Sequence, residues 1–281
     1  MRGNRPFAAL ERHVAERVAA RPGETLLAAV SGGADSVALA ALLRANRCRL
    51  VLAHVNHQVR TVSGQDEALV LSVGASLGVR VLVRSLPVGS ADEARLREER
   101  YAMLAEMAEE AGARRVFTAH HAQDQSETVL LALFRGAGPE ALRGIPATRP
   151  LRPGISLERP LLRVSRNDLV AYCRHQHLPL LFDGSNLDQR YRRNAVRRAL
   201  EDLRESFPHL DESIARCAQI ASENADQTER SRLRERLREE LAGMGALRNV
   251  TFERLDAVAD AIEGERPGRH FLQPGLHVRL G

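Results

Sequence analysis

Short apolar runs alternate with longer stretches of helical spacing over most of the chain. Residues 26–30 are apolar behind the turn-like Arg21-Pro22-Gly23-Glu24, and residues 37–43 are rich in Ala and Leu. A buried strand, a tight turn and a helix are predicted in that order. Residues 7–20 read as a helix leading into this unit, and residues 49–54 and 79–83 as further buried strands around a helix that Ser63 caps and that runs to 77. A long charged helix over 91–111, a strand over 115–119 and a helix from Asp124 to 135 follow. Alternation on this scale predicts an α/β fold, a doubly wound, Rossmann-like parallel sheet.

Residues 136–159 are punctuated by Gly136, Gly138, Pro139, Gly144, Pro146, Pro150, Pro153 and Gly154, and are expected to form a long loop of the lid or binding type. Ser165 is placed to cap a short helix ending near 177, and residues 183–197 open another helix. Residues 207–243 are helical and heavily charged, and 250–281 are expected to hold one amphipathic helix and a strand-like ending over 276–280. The expected division is a catalytic domain over 1–203 and a smaller, mainly helical appendix over 204–281.

The turn between the first strand and its helix is Ser31-Gly32-Gly33-Ala34-Asp35-Ser36. Adjacent glycines bare backbone N–H groups at a helix N-terminus, where the helix dipole favours an anion. The Gly-Lys-Ser/Thr ending of a Walker A loop is absent. Ser31, Ser36 and the amides of Gly32 and Gly33 suit phosphate oxygens, and Asp35 suits the Mg²⁺ that neutralises them. The other dense constellation is His120-His121-Ala122-Gln123-Asp124-Gln125-Ser126-Glu127-Thr128, where Asp124 and Glu127 share one helical face and make a receptor for a cation.

Composition sharpens this picture. The 281 residues contain 41 basic side chains and no lysine, so every one of them is an arginine, a residue suited to bidentate phosphate contacts. The formal net charge is +5, yet residues 143–198 alone hold twelve arginines against four acids. With Tyr191 and Asn194 interleaved, that stretch suits a folded nucleic acid. Cys48, Cys173 and Cys217 are odd in number and far apart, which points to neither a disulfide framework nor a metal site. No apolar run approaches a bilayer span and the N-terminus lacks a signal-peptide core, so a cytoplasmic location is expected.

These motifs together resemble the tRNA(Ile)-lysidine synthetase family of the ATP pyrophosphatases. The resemblance is carried by residues 31–36, by His54-Val-Asn-His-Gln-Val-Arg60, by residues 94–101 with Arg97, Arg100 and Tyr101, by 120–128, by Arg135-Gly-Ala-Gly138 and by Asp183 to Arg197. Gln123 stands where the family often has an acid, and Leu96 where a small residue is common. The resemblance implies an adenine nucleotide alpha hydrolase-like fold and a two-step reaction. ATP adenylates the wobble cytidine of a CAU anticodon at C2, and the ε-amine of free lysine then displaces AMP. It assigns Asp35, Arg97, His120, Asp124 and Arg193 to catalysis, and Ser31, Gly32, Gly33, Asp35, Ser36, His54 and His120 to ATP. Asp124 and Glu127 fall to lysine, Arg100, Arg190, Arg193, Asn194 and Arg197 to tRNA, and Asp35 to Mg²⁺.

Two alternatives are weighed against it. A tRNA 2-thiolation enzyme shares the adenylation but relies on paired cysteines, which this chain does not space together. A non-catalytic tRNA-binding relative would have no reason to keep costly carboxylates together in a cleft.

Overall fold

The computed structural model describes residues 6–46, 48–56, 63–86, 93–180, 192–225, 229–243, 254, 257–258, 268–273 and 276–280. The chain divides into two compact units, one of Met1–Gln125 with Ile145–Arg190, the other of Ser126–Gly144 with Tyr191–Gly281.

The first unit is built on a six-stranded sheet. Its strands are β1 (Thr25–Ala29), β2 (Arg49–Asn56), β3 (Arg80–Ser85), β4 (Arg115–Phe117), β5 (Thr148–Arg152) and β6 (Ile155–Glu158), in the spatial order β3-β2-β1-β4-β6-β5. All neighbours are parallel except β5, which runs antiparallel to β6 at the edge. Both faces of the sheet are covered, so the central strands are apolar on both sides and alternate between two cores. Leu26, Ala28, Leu50, Leu52 and Phe117 face one core, with α1 (Ala8–Val18), α2 (Ala34–Arg44), α3 (Ser63–Leu77) and α6 (Arg166–His175). Leu27, Val51, Ala53 and Val116 face the other, beneath Tyr101, Leu104, Met107 and Ala108 of α4 (Glu93–Ala111). Arg115 pins the middle of the sheet, donating to both carboxylate oxygens of Glu158 at 2.7 Å and to the Val18 carbonyl at 2.6 Å.

The strand order places the functional edge. From β1 the chain steps outward to β2 and β3, then crosses back through α4 to β4 on the other side of β1. Ligands of open α/β sheets bind outside the carboxyl ends of the strands at such a reversal. The loops after β1 and β4 flank that point.

The expected long loop over 136–159 is corrected by the structure. It contains a 3-10 helix, Pro139–Arg143, and the hairpin β5–β6. Gly154 takes φ +78° at the hairpin turn, which a residue with a Cβ rarely adopts. Pro150 is tolerated because β5 is an edge strand, with an irregular register between Pro150 and Arg152. The signal that reveals β6 is the alternation of buried Ile155 and Leu157 with Ser156 and Glu158.

In the second unit, α5 (Ala122–Leu133) contributes its later turns, joined by α7 (Arg192–Ser206), α8 (Leu210–Ala225), α9 (Glu229–Gly243) and an antiparallel hairpin of β7 (Gly268–Gln273) and β8 (Leu276–Leu280). Arg204 donates to both carboxylate oxygens of the buried Asp211, at 2.7 and 3.1 Å, joining α7 to α8.

Candidate active site

The loop after β1 turns sharply at Gly32, whose φ of +93° explains the glycine there. Gly33 is the N-cap of α2 and caps it with no side chain, leaving the first N–H groups of the helix without intrahelical partners. Ser36 folds back into the loop. Its hydroxyl donates to the Gly33 carbonyl at 2.8 Å, accepts from the Ser31 amide at 3.1 Å and lies 3.3 Å from the Ser31 hydroxyl. The two serines therefore fix the loop shape as well as offering hydroxyls to a ligand.

Asp35, in the first turn of α2, faces the loop after β4. Its Oδ2 lies 3.6 Å from His121 Nε2 and 3.5 Å from Arg166 Nε. His121 Nε2 is also 3.5 Å from Asp124 Oδ2, and the same oxygen accepts from the His121 amide at 3.1 Å. An imidazole thus sits between two carboxylates, one from the first turn of α2 and one from the first turn of α5, the helices that follow the two loops. Burial works against charge on the His121 ring, but Asp35 and Asp124 outweigh it and raise its pKa. Burial likewise pushes the Asp35 carboxyl up, and His121 with Arg166 outweighs that and lowers it. Arg166 is itself steered by Gln123, whose side-chain oxygen accepts from the Arg166 amide at 2.9 Å.

His54 is buried, its Nδ1 2.8 Å from the Val30 carbonyl, so Nδ1 carries the hydrogen and Nε2 is left buried without a partner. The half-buried His120 directs Nδ1 to the Thr118 hydroxyl at 3.0 Å. Arg97 and Arg100 stand 5.7 Å from the Tyr101 ring centroid on α4. In the second unit, Arg197 of α7 clasps Glu127 through Nε at 2.6 Å and Nη2 at 3.2 Å. Arg190 lies outside the described residues. Arg193 and Asn194 fall in the first turn of α7, where their side chains are likewise outside the description.

Residues 7–203 match the PP-loop domain family. The chain belongs to that family. The segment 31–36, with Asp35, lies within the matched residues. Relatives include the tRNA(Ile)-lysidine synthase of Ralstonia nicotianae, 37% identical over 91% of this chain and 63% of that protein. That of Nitrosomonas europaea is 34% identical over 94% of this chain and 63% of its own length, and that of Gloeobacter violaceus 38% identical over 71% and 63%. The chain spans less than two thirds of the length of these relatives. Among solved structures, the U34-tRNA thiolase NcsA of Methanococcus maripaludis superposes with a TM-score of 0.63 at 16% identity, covering 76% of this chain and 77% of that one, a likeness of fold.

The PP-loop residues fit a hard cation. Asp35 Oδ1 is buried and has no hydrogen-bond partner, while Oδ2 is turned toward His121 and Arg166. Mg²⁺ characteristically takes one or two carboxylates and completes its shell with phosphate oxygens and water. Among the described residues no group of three or more His, Cys, Asp or Glu could cage a metal by itself. The sequence marks Asp35, Asp124 and, of the adjacent histidine pair, His120. His121 is the one between the carboxylates. Residues 118–121 follow β4 without regular structure, so no alternation says which of the two points inward.

Proposed function

We propose that this PP-loop protein is a tRNA(Ile)-lysidine synthase, with residues 1–203 as catalytic domain, 204–281 as tRNA-binding appendix, and a cytoplasmic place of action. The observation that carries the reading is the pair Asp35 and Asp124 bridged by His121 beside the PP-loop. Relatives of that name at 34–38% identity supply the substrates.

ATP lies with its phosphates on Ser31, Gly32, Gly33 and Ser36, and His54 and His120 contribute to the nucleotide site. Mg²⁺ on Asp35, when bound, neutralises polyphosphate charge. The cytosine C2 oxygen attacks the α-phosphorus and the bond to the β-phosphate oxygen breaks, releasing pyrophosphate. The loop amides meet the charge that develops there, which is positioning and electrostatics with little covalent work. His121 lies between Asp35 and Asp124, which raise its pKa, and orients both carboxylates. In the second step the lysine ε-nitrogen attacks C2, the C2–oxygen bond breaks, AMP departs and the amine loses a proton. Asp124 and Glu127, three residues apart on α5, hold the lysine ammonium. Arg97 and Arg193 act at the reacting groups, and Arg100, Arg190, Arg193, Asn194 and Arg197 hold the tRNA, whose target base is presented unstacked.

The thiolation alternative is disfavoured by the cysteines. Cys173 is buried, with its thiol pushed by burial up to about 12, Cys48 is half-buried and Cys217 exposed, and all three are free. Incubation with ATP, Mg²⁺, labelled lysine and a CAU-anticodon isoleucine tRNA transcript tests the proposal. Label should enter the tRNA and vanish when the wobble cytidine becomes uridine. AMP formation without lysine incorporation would overturn the second substrate.

A further inference from the structure

A second cluster lies where β5 begins and β6 ends, under α4, and shares no residue with the Asp35 arrangement. Its centre is Tyr101, 7% exposed. Arg149, level with Leu157 in the β5–β6 register, places its guanidinium 4.5 Å from the Tyr101 ring centroid, and Arg97 and Arg100 approach at 5.7 Å. Arg159, one residue past β6, is 3% exposed and stands beside the phenol. It donates to the Pro146 carbonyl at 2.7 Å and leaves its buried Nε without a partner.

Neighbouring arginines show how unusual this is. Arg95 pairs with Glu99 at 2.9 Å, Arg152 with Glu106 at 3.3 Å and Glu109 at 3.5 Å, and Arg115 with Glu158. Arg97, Arg149 and Arg159 form no ion pair with a carboxylate among the described residues. A buried guanidinium is ordinarily paired, because an uncompensated charge away from water is costly. Three cations gathered round one phenol, ion-paired to no carboxylate among the described residues, are a preformed receptor for an anion, and the planar fork of arginine matches phosphate oxygens.

We infer that Arg97, Arg149 and Arg159, gathered around Tyr101, form an oxyanion site that takes a phosphate group. Arg149 stacks on the ring face, Arg159 supplies the buried charge, Arg97 keeps the solvent side open, and the Tyr101 hydroxyl donates to the bound anion. If the proposed function holds, the phosphate belongs to the tRNA backbone; the alternative source of the same chemistry is the nucleotide. Without ligand the guanidiniums act on the phenol itself. Burial raises its pKa, but Arg97 and Arg159 outweigh this and bring it to about 8.

The chain offers a direct readout, since it contains no tryptophan and three tyrosines, Tyr101, Tyr172 and Tyr191. Burial pushes Tyr172 up to about 12, out of range, and a Tyr191→Phe background removes the third. Near-ultraviolet phenolate absorbance of the full chain, followed against pH, should show a midpoint near 8 that Tyr101→Phe abolishes. Inorganic phosphate should raise that midpoint by about one unit, the size expected when an opposite charge arrives or is neutralised within a few ångströms. Arg149→Gln, or Arg97→Gln should the first variant fold poorly, should remove the phosphate dependence. A midpoint unmoved by phosphate, or moved as far by chloride at equal ionic strength, overturns the site.

Carbon-13 tyrosine resonances then separate the sources. A shift on adding an anticodon stem-loop RNA assigns the phosphate to RNA, one on adding ATP alone assigns it to the nucleotide, and no shift with either overturns the inference. In the RNA case Arg149→Gln should also flatten the salt dependence of tRNA binding by about 0.7–0.9 in logarithmic slope. None of these readouts depends on lysine transfer, so a negative transfer assay counts against the proposed function and leaves the anion site to be judged separately.

Discussion

Glu127 is the carboxylate whose partnership can be measured most cleanly. Its side chain is 3% exposed and its pairing with Arg197, 30% exposed, is bidentate at 2.6 and 3.2 Å. Arg197→Met leaves the carboxylate buried and removes a principal counter-charge, a change that costs about 3–5 kcal/mol. Glu127→Gln removes the buried charge instead, and Arg197 relaxes into water, so only the charge-assisted hydrogen bonds are lost, about 1.5–3 kcal/mol before that relief. The double variant should cost little more than Glu127→Gln alone, giving a coupling energy of roughly 2 kcal/mol or more. Urea unfolding at constant slope measures all three changes. Additivity within about 0.5 kcal/mol would refute the pairing argument. The same series tests the lysine assignment, since an added ammonium should replace the missing guanidinium. Free lysine at a hundredfold its Kd should restore about 2.7 kcal/mol to Arg197→Met. Norleucine should restore none, and the double variant should not respond.

Three further outcomes are expected. Asp35→Asn keeps the side-chain shape but removes the charge at the orphaned oxygen, so ATP–pyrophosphate exchange should fall by about a hundredfold or more with tRNA binding retained; unchanged exchange would take Asp35 out of the nucleotide site. A Cβ at Gly74 would collide with Val81 Cγ2, where α3 approaches β3. Gly74→Ala should therefore destabilise by about 1–2 kcal/mol, overpacking outweighing the helix-propensity gain of about 1 kcal/mol, and Val81→Ala should rescue it; net stabilisation by Gly74→Ala would sink the packing argument. The Tyr101 phenol, brought to about 8 against an ordinary 10, favours the ionised form in the folded state. Its contribution is complete above about pH 10 and is lost as pH falls through about 8, up to roughly 2–3 kcal/mol. Urea midpoints should rise over that interval in the wild type relative to Tyr101→Phe, and parallel curves would contradict it.

The fold and the acidic half of the site were legible because their signals are local. A strand buried on both faces reads as an apolar run, and β1 alternates between two cores through Leu26, Leu27 and Ala28. The turn after it needs glycine at Gly32 for a backbone reason. The hairpin β5–β6 was hidden because its edge strand tolerates Pro150 and carries Arg149 and Arg152, so proline and charge stood where a central strand would be apolar. His121, Arg166 and Gln123 were missed for a different reason. Their roles arise from the meeting of the loop after β4 with the start of α6 and the first turn of α2, and sequence spacing does not encode such a meeting.

Charge counting alone does not separate the arginines of 143–198, and the reason bears on how the molecule works. The arginine excess over 143–198 reads as one continuous basic face, yet its members have divergent fates. Arg152 is tied to Glu106 and Glu109, Arg166 to Asp35, and Arg197 to Glu127. Their carboxylates reduce the field that those guanidiniums present to a distant polyanion. Arg149 and Arg159 keep their charges, because the side chain they share is a phenol that can remain neutral. An anion arriving there meets guanidiniums whose orientation is already fixed by the ring and by the Pro146 carbonyl, so little side-chain entropy remains to be lost on binding. Where a basic chain meets RNA is thus decided less by where arginines are dense than by which of them the fold leaves without a carboxylate.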